Sequence, residues 1–186
     1  MHIETIDRRK IDEPTARVMA ELLCVVWPKP GRTVETRVAE MVNGWKDYRG
    51  PESQFPRSFL IRENGRAIAH AGIVPRTIRT GAAEFTIAGL TGVCTDPAAR
   101  GRGLGELLAR EAFKTVDDGT FPFSLFQTNH AVRPFYEKLG ARAVDNRFFY
   151  SLDDATKSPF WDEVVMVYPG DRPWPSGEID LHGPGY

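Results

Sequence analysis

The chain has 186 residues, enough for one domain with a hydrophobic core of its own and no disulfide staples. Its 24 basic residues face 25 acidic ones, and the net charge of −1 gives no electrostatic reason to expect a nucleic-acid partner. The two cysteines, Cys24 and Cys94, lack metal-ligand spacing and make no disulfide framework.

Both cysteines read as small buried hydrophobes in a reducing compartment. The opening "MHIETIDRRKIDEP" lacks the apolar centre of a signal peptide, and no apolar run approaches the length of a membrane span. The expectation is a soluble cytoplasmic protein with no bound metal.

"MHIETI" suggests a short first strand. Asp12 stands at an N-cap position before "EPTARVMAELLCVVW", whose apolar residues recur with helical spacing; Pro14 is tolerated in a first turn. "PKPGR" breaks that pattern. "TVETRVAEMVNGW" reads as a second helix with Val34, Val38, Met41 and Val42 on one face, and residues 46–56 read as a loop. "RSFLI" and "AIAHAGIVPRTI" flank "RENGR", whose Asn-Gly is a hairpin signal. After a second turn, "TGAAE", comes "FTIAGLTGVCT", so residues 57–95 form an expected meander of three antiparallel strands. "GLGELLAREAFKTVDDG" is an expected helix ending near Gly119. "FPFSLFQ" is a strand, "AVRPFYEKLGA" a short helix with Pro134 in its first turn, and "ARAVDNRFFYSL" one more strand. "DEVVMVY" is the last clear strand. The remaining "PGDRPWPSGEIDLHGPGY" is too rich in Pro and Gly for a helix or a central strand. Trp174, Ile179, Leu181 and Tyr186 are spaced through it, so it is expected to lie against the domain.

One stretch, "CTDPAARGRGLGELLAREAF", concentrates chemistry. An expected strand runs into Arg100, Gly101, Arg102, Gly103, Leu104 and Gly105, and then into a helix. A helix N-terminus offers unpaired N–H groups and about half a positive charge. Two arginines add full charges, and the glycines leave no side chain between ligand and backbone. That combination suits a phosphate. The run is neither a dinucleotide fingerprint nor a Walker loop. The bland alternative is a tight strand-to-helix turn with solvated arginines.

"GVCTDPAARGRGLG" resembles the signature of the GNAT superfamily of N-acetyltransferases, R/Q-x-x-G-x-G/A, matched by Arg100, Gly103 and Gly105. "NHAVRPFYEKLGA" resembles a later block of the same superfamily, matched by Asn129, Tyr136 and Gly140, with Val132 in place of the usual Ala. The order of elements is similar too: two helices after the first strand, a meander, a coenzyme helix, then strand, helix, strand. The resemblance implies an α/β (α+β) GNAT fold, a mixed central sheet flanked by helices. It implies direct transfer of an acetyl group from acetyl-CoA, a co-substrate, to an amine. The turn N–H groups would hold the pyrophosphate, and the strand at Val93 to Thr95 would pair with the pantetheine arm. The tail also looks like that of rhizobial nodulation N-acyltransferases, and the coenzyme strand looks like that of aminoglycoside 2'-N-acetyltransferases. Both suggest an amino-sugar acceptor, a small-molecule partner; a homodimer is left open. Residues 1–169 would be the acyltransferase domain and 170–186 a Pro/Gly-rich extension packed on it.

Amide formation from a thioester needs a neutral amine, a polarised carbonyl and a protonated leaving thiolate. By resemblance Tyr136 is the candidate acid; otherwise it is an aromatic on a short helix, where Phe135 is the more obvious core residue. Asn129 either caps that helix or bonds the pantetheine arm. A backbone N–H at Val93 or Thr95 would polarise the carbonyl, with Cys94 packing on the opposite face. For the base, Glu84 and the Tyr186 α-carboxylate stand level and His70 third, a structural histidine being an equal reading for the last. Two alternatives to acetyl transfer stand beside it. One is a longer acyl donor on CoA or a carrier protein; the other is a non-catalytic coenzyme sensor. The tail is expected to wall the acceptor site with Asp180 or Glu178 facing the amine, or else merely to clamp a sheet edge.

Overall fold

The computed structural model describes residues 2–81, 83–154 and 156–186. The chain forms two compact units: residues 1–74 with 91–112, and residues 75–90 with 113–186.

In the first unit, strand β1 (Glu4–Asp7) pairs antiparallel with β2 (Arg57–Glu63), and β2 with the leading half of β3 (Arg66–Arg79). The β2–β3 turn places Asn64 at φ 51 and Gly65 at φ 78, the left-handed pair that a two-residue hairpin requires. Two helices follow β1. Helix α1 (Glu13–Val26) starts at Asp12, whose carboxylate accepts from Thr15 N at 2.9 Å; α2 (Val34–Asn43) starts at Thr33, whose hydroxyl accepts from Thr36 N at 3.3 Å. Each such cap contributes about 1 kcal/mol. Ala16, Met19, Ala20, Leu22 and Leu23 of α1 meet Val38 and Met41 of α2 in one core with Leu60, Ala67 and Cys94. Cys94 is buried as expected, but Cys24 is only half-buried, with Sγ 3.7 Å from the Arg32 carbonyl. The C-terminal part of α1 borders the short 27–33 connection, and its last turn is incompletely covered: Val25 is exposed.

Strands β3 and β4 (Glu84–Thr95), and helix α3 (Leu104–Asp117), each run from one unit into the other. In the second unit β4 pairs in parallel with β5 (Ser124–Thr128), through Ala88↔Ser124 and Gly89↔Leu125. A short helix, α4 (Arg133–Lys138), follows β5, and Pro134 does sit in its first turn.

The expected single strand "ARAVDNRFFYSL" is instead two short ones, β6 (Arg142–Ala143) and β7 (Phe148–Phe149). Asn146 explains the break. Its Nδ2 donates to the carbonyls of Pro175 (3.0 Å) and Gly177 (2.8 Å), and its Oδ1 accepts from Trp174 Nε1 (2.8 Å). The residues on either side are drawn to different partners. Strand β8 (Val164–Tyr168) pairs antiparallel with β5 and β6, whereas β7 pairs with a strand that the composition argued against, β9 (Ile179–Asp180). Two residues suffice for β9, so the surrounding Pro and Gly do not obstruct it. It also meets β3 at Arg79↔Asp180. The core of this unit joins Ile78, Ile87, Phe123, Leu125, Phe148, Phe160 and Val167 to Ile179 and Leu181, both fully buried.

Candidate functional site

In the first unit the end of β4 is fixed by Asp96 N donating to the Ile68 carbonyl at 2.9 Å. A single 3-10 turn, Pro97–Ala99, follows, with the Asp96 carboxylate accepting from Ala98 N at 2.9 Å. Ala99 and Leu104 are both buried and hold the ends of the next segment in the core. Between them Arg100, Gly101, Arg102 and Gly103 stand exposed. Gly101 has φ 77 and Gly103 φ 72, left-handed values that side chains disfavour, and a Cβ at either would meet nothing within 4 Å. The bare backbone therefore fronts open space at the start of the 14-residue α3. Leu107 N already bonds the Gly103 carbonyl at 3.1 Å, so the earlier N–H groups of the first turn are those a ligand would use. Leu104 can contribute only its main chain, because its side chain is buried.

The charge at this turn is smaller than the arginine count suggests. Arg102 makes a 2.9 Å ion pair with Glu63, which raises the guanidinium pKa and lowers that of the carboxyl. Glu63 lies 39 positions away in the chain, and no local signal links the two. Glu106 in the first turn of α3 pairs with Arg110 at 2.9 Å. Arg100 and the helix terminus carry most of the remaining positive potential.

Val93 and Thr95 are half-buried and Cys94 is buried between them, the alternation expected of a strand. Burial pushes the Cys94 thiol up to about 12, which leaves it unreactive packing. Just upstream, Gly92 has φ 62 within β4. Its carbonyl lies 2.7 Å from His70 Nδ1, while His70 Nε2 lies 3.0 Å from Ser58 Oγ. Burial lowers the His70 pKa to about 4, against the opposing pull of the Gly92 carbonyl and with help from the Arg8 charge. His70 is thus a neutral, fully engaged side chain, which removes the ground for a proton-accepting role.

In the second unit, Asn129 Oδ1 accepts from Val132 N at 3.0 Å and its carbonyl from Arg133 N at 3.0 Å, so Asn129 caps the approach to α4. Tyr136 is the residue of α4 that is buried; its ring centroid lies 4.5 Å from that of Phe126. Phe135, the more obvious core residue by sequence, is only half-buried. The helix has barely two turns, and its register rather than side-chain hydropathy decides which aromatic faces inward. Glu84 is exposed at the start of β4 and paired with Arg79 at 3.1 Å. The main-chain oxygen of Tyr186 accepts from Gln127 Nε2 at 3.0 Å, and Gln127 Oε1 accepts from Trp161 N and Asp162 N. Asp180 does not face an open acceptor space: it is buried and accepts from Ser151 N and His182 N. Glu178 is engaged by Arg147. Among the described residues no group of three or more His, Cys, Asp or Glu is placed to hold a metal, and no helix is long and apolar enough to cross a membrane.

Solved structures share this fold. A GCN5-related N-acetyltransferase from Kribbella flavida is 22% identical with a TM-score of 0.57, over 76% of this chain and 34% of that one, so this chain spans about a third of its length. An acyl-CoA N-acyltransferase from Pseudomonas aeruginosa is 16% identical with a TM-score of 0.59, over 89% of this chain and 97% of that one. A glucosamine-6-phosphate N-acetyltransferase from Arabidopsis thaliana is 15% identical with a TM-score of 0.57, over 75% and 91%. No curated protein matches the chain. A family model described as the acetyltransferase (GNAT) domain matches residues 7–144, from the last residue of β1 through β6, and with them the glycine turn and α4. On that match, the chain belongs to the GNAT acetyltransferase domain family.

Proposed function

We propose that the chain moves an acetyl group from acetyl-CoA directly to the primary amine of a small molecule, with an amino sugar as the acceptor class. The observation that carries the donor half is the exposed turn of Arg100 to Gly105, with two left-handed glycines facing open space at a helix N-terminus. It suits a pyrophosphate, whose charge the N–H groups and Arg100 would meet. The acceptor half rests on the likeness of the tail to nodulation N-acyltransferases and of the coenzyme strand to aminoglycoside 2'-N-acetyltransferases. A glucosamine-6-phosphate enzyme sharing the fold is in keeping with that choice without deciding it.

In this reading the neutral amine attacks the thioester carbonyl. A C–N bond forms, the carbonyl oxygen takes negative charge, and a backbone N–H of β4 at Val93 or Thr95 stabilises it. Collapse breaks the C–S bond, and the thiolate takes the Tyr136 phenol proton. The surplus amine proton passes to the Tyr186 α-carboxylate, which restores Tyr136 through solvent; Glu84, paired with Arg79 at the far end of β4 from Val93, is too distant along the strand to take it. Asn129 sets α4, and so Tyr136, in place. Residues 170–186 complete the acyltransferase domain formed by residues 1–169.

Release of CoA thiol, followed with acetyl-CoA and a set of amines, tests this. The expected result is faster release with 2-amino sugars than with simple alkyl amines, and slower release as the acyl chain lengthens. A preference for long acyl chains would overturn the acetyl assignment. Binding of acetyl-CoA with no amine-dependent release would make the domain a sensor.

A further inference from the structure

We propose that His70 is a positioning residue that aims the Val93 N–H at the thioester carbonyl, by holding the Gly92 carbonyl in the kink of β4; this rests on the acyl-transfer reading above. The imidazole of His70, on β3, is buried and sits between two glycines. A Cβ on Gly92 would come within 3.1 Å of the ring, and a Cβ on Gly72 within 3.4 Å of it. A side chain at Gly92 would therefore crowd the ring, whereas one at Gly72 would press first on Thr91, at 3.2 Å, and only touch the ring.

The tautomer follows from the partners. The Gly92 carbonyl can only accept, so the 2.7 Å contact requires the proton on Nδ1. Nε2 is then an acceptor, and the buried Ser58 hydroxyl donates to it at 3.0 Å. Strands β2, β3 and β4 each supply one member of the relay Ser58–His70–Gly92.

The consequence for chemistry comes from the peptide plane. The Gly92 carbonyl and the Val93 N–H belong to one peptide unit, which is trans and planar, so the two bonds point in opposite directions. Fixing one fixes the other. A left-handed residue inside a strand turns such a unit out of the regular ladder. His70 draws the carbonyl to the buried side, and the Val93 N–H is thereby presented on the opposite side. Of the two candidate donors, Val93 and Thr95, this selects Val93. His70 touches no substrate in this arrangement; it acts through the backbone.

The test uses two variants and one spectroscopic measurement on the unaltered protein. His70→Asn retains a donor near the Nδ1 position, whereas His70→Phe fills the socket without one. Loss of an oxyanion donor costs about 10²–10³-fold, and a misdirected one part of that, so His70→Phe is expected to slow single-turnover transfer about tenfold or more. His70→Asn is expected to restore most of the rate, and calorimetric affinity for acetyl-CoA is expected to stay near that of the parent in both. A purely structural His70 would instead lower rate, affinity and melting temperature together in both variants, and that outcome overturns the proposal. Should His70→Phe not fold, amide NMR of the parent decides. On titration with an unreactive thioether analogue of acetyl-CoA that keeps the carbonyl, the Val93 amide proton is expected to move downfield. An unmoved Val93 amide with shifted Arg100 to Gly105 amides would refute the role of His70 while sparing the donor site. No shift in either place would refute the donor site itself.

Discussion

Tyr136→Phe is expected to lower the single-turnover rate of acyl transfer by about 10²–10⁴-fold, the usual effect of losing a general acid. The substitution removes one oxygen and keeps the ring. Tyr136 is buried, with its ring packed against Phe126 and edge-on to Phe135, and these ring contacts survive the change. Neither fold nor coenzyme affinity should respond. A phenol, with an ordinary pKa of about 10, is the kind of group that has a proton to give at neutral pH. Steady-state turnover is the wrong readout if product release is slow, because the chemical step is then hidden. Rapid mixing of enzyme loaded with acetyl-CoA against saturating amine isolates the step. An unchanged rate would make Tyr136 a core aromatic and nothing more.

Ending the chain at Pro173 is expected to collapse stability rather than to trim an acceptor wall. The segment removed carries Ile179 and Leu181, both fully buried, and each contributes about 1.5–3 kcal/mol by burial alone. Trp174 packs edge-on against Phe123 at 5.0 Å, worth about 0.5–1.5 kcal/mol beyond its area. Phe148 and Phe160 would lose their covering neighbours. Against a total stability of about 5–15 kcal/mol, such losses are decisive. The melting temperature should fall sharply, with coenzyme binding lost alongside acceptor turnover. A truncated chain that melts like the parent and binds acetyl-CoA normally would return the tail to the role of a dispensable wall. Burial of Asp180 and the pairing of Glu178 with Arg147 already weigh against that role.

Local chemistry was legible in the sequence wherever it involves neighbours in the chain. Asp12 caps the helix that follows it, Asn64 and Gly65 turn the hairpin, and Gly101 and Gly103 open the turn before α3. Each of these depends on residues a few positions apart. What escaped depends on partners brought from far away. Asn146 breaks a strand because Trp174, Pro175 and Gly177 come to its amide. Glu63 takes up Arg102 across 39 positions. The residue type of His70 suits a base, but Ser58 and Gly92, on other strands, occupy both of its ring nitrogens. The tail gave its apolar anchors away by spacing. That they are core residues was not legible, since their partners Phe148 and Ile78 lie on other strands.

The donor site is tested most directly by calorimetric titration of acetyl-CoA into the parent protein, Gly103→Asn and Gly103→Asp. A Cβ at Gly103 meets nothing within 4 Å, so either side chain starts into open space, and Asn and Asp are the residues that best tolerate φ 72. The two side chains have the same shape and differ in charge. Backbone strain is therefore common to both, and the difference between them reports what the turn holds. With a pyrophosphate on these N–H groups, Gly103→Asp is expected to bind at least about tenfold more weakly than the parent, or about 1.4 kcal/mol, with Gly103→Asn in between. A folded Gly103→Asp protein that binds acetyl-CoA as tightly as the parent would contradict the placement of the coenzyme at this turn.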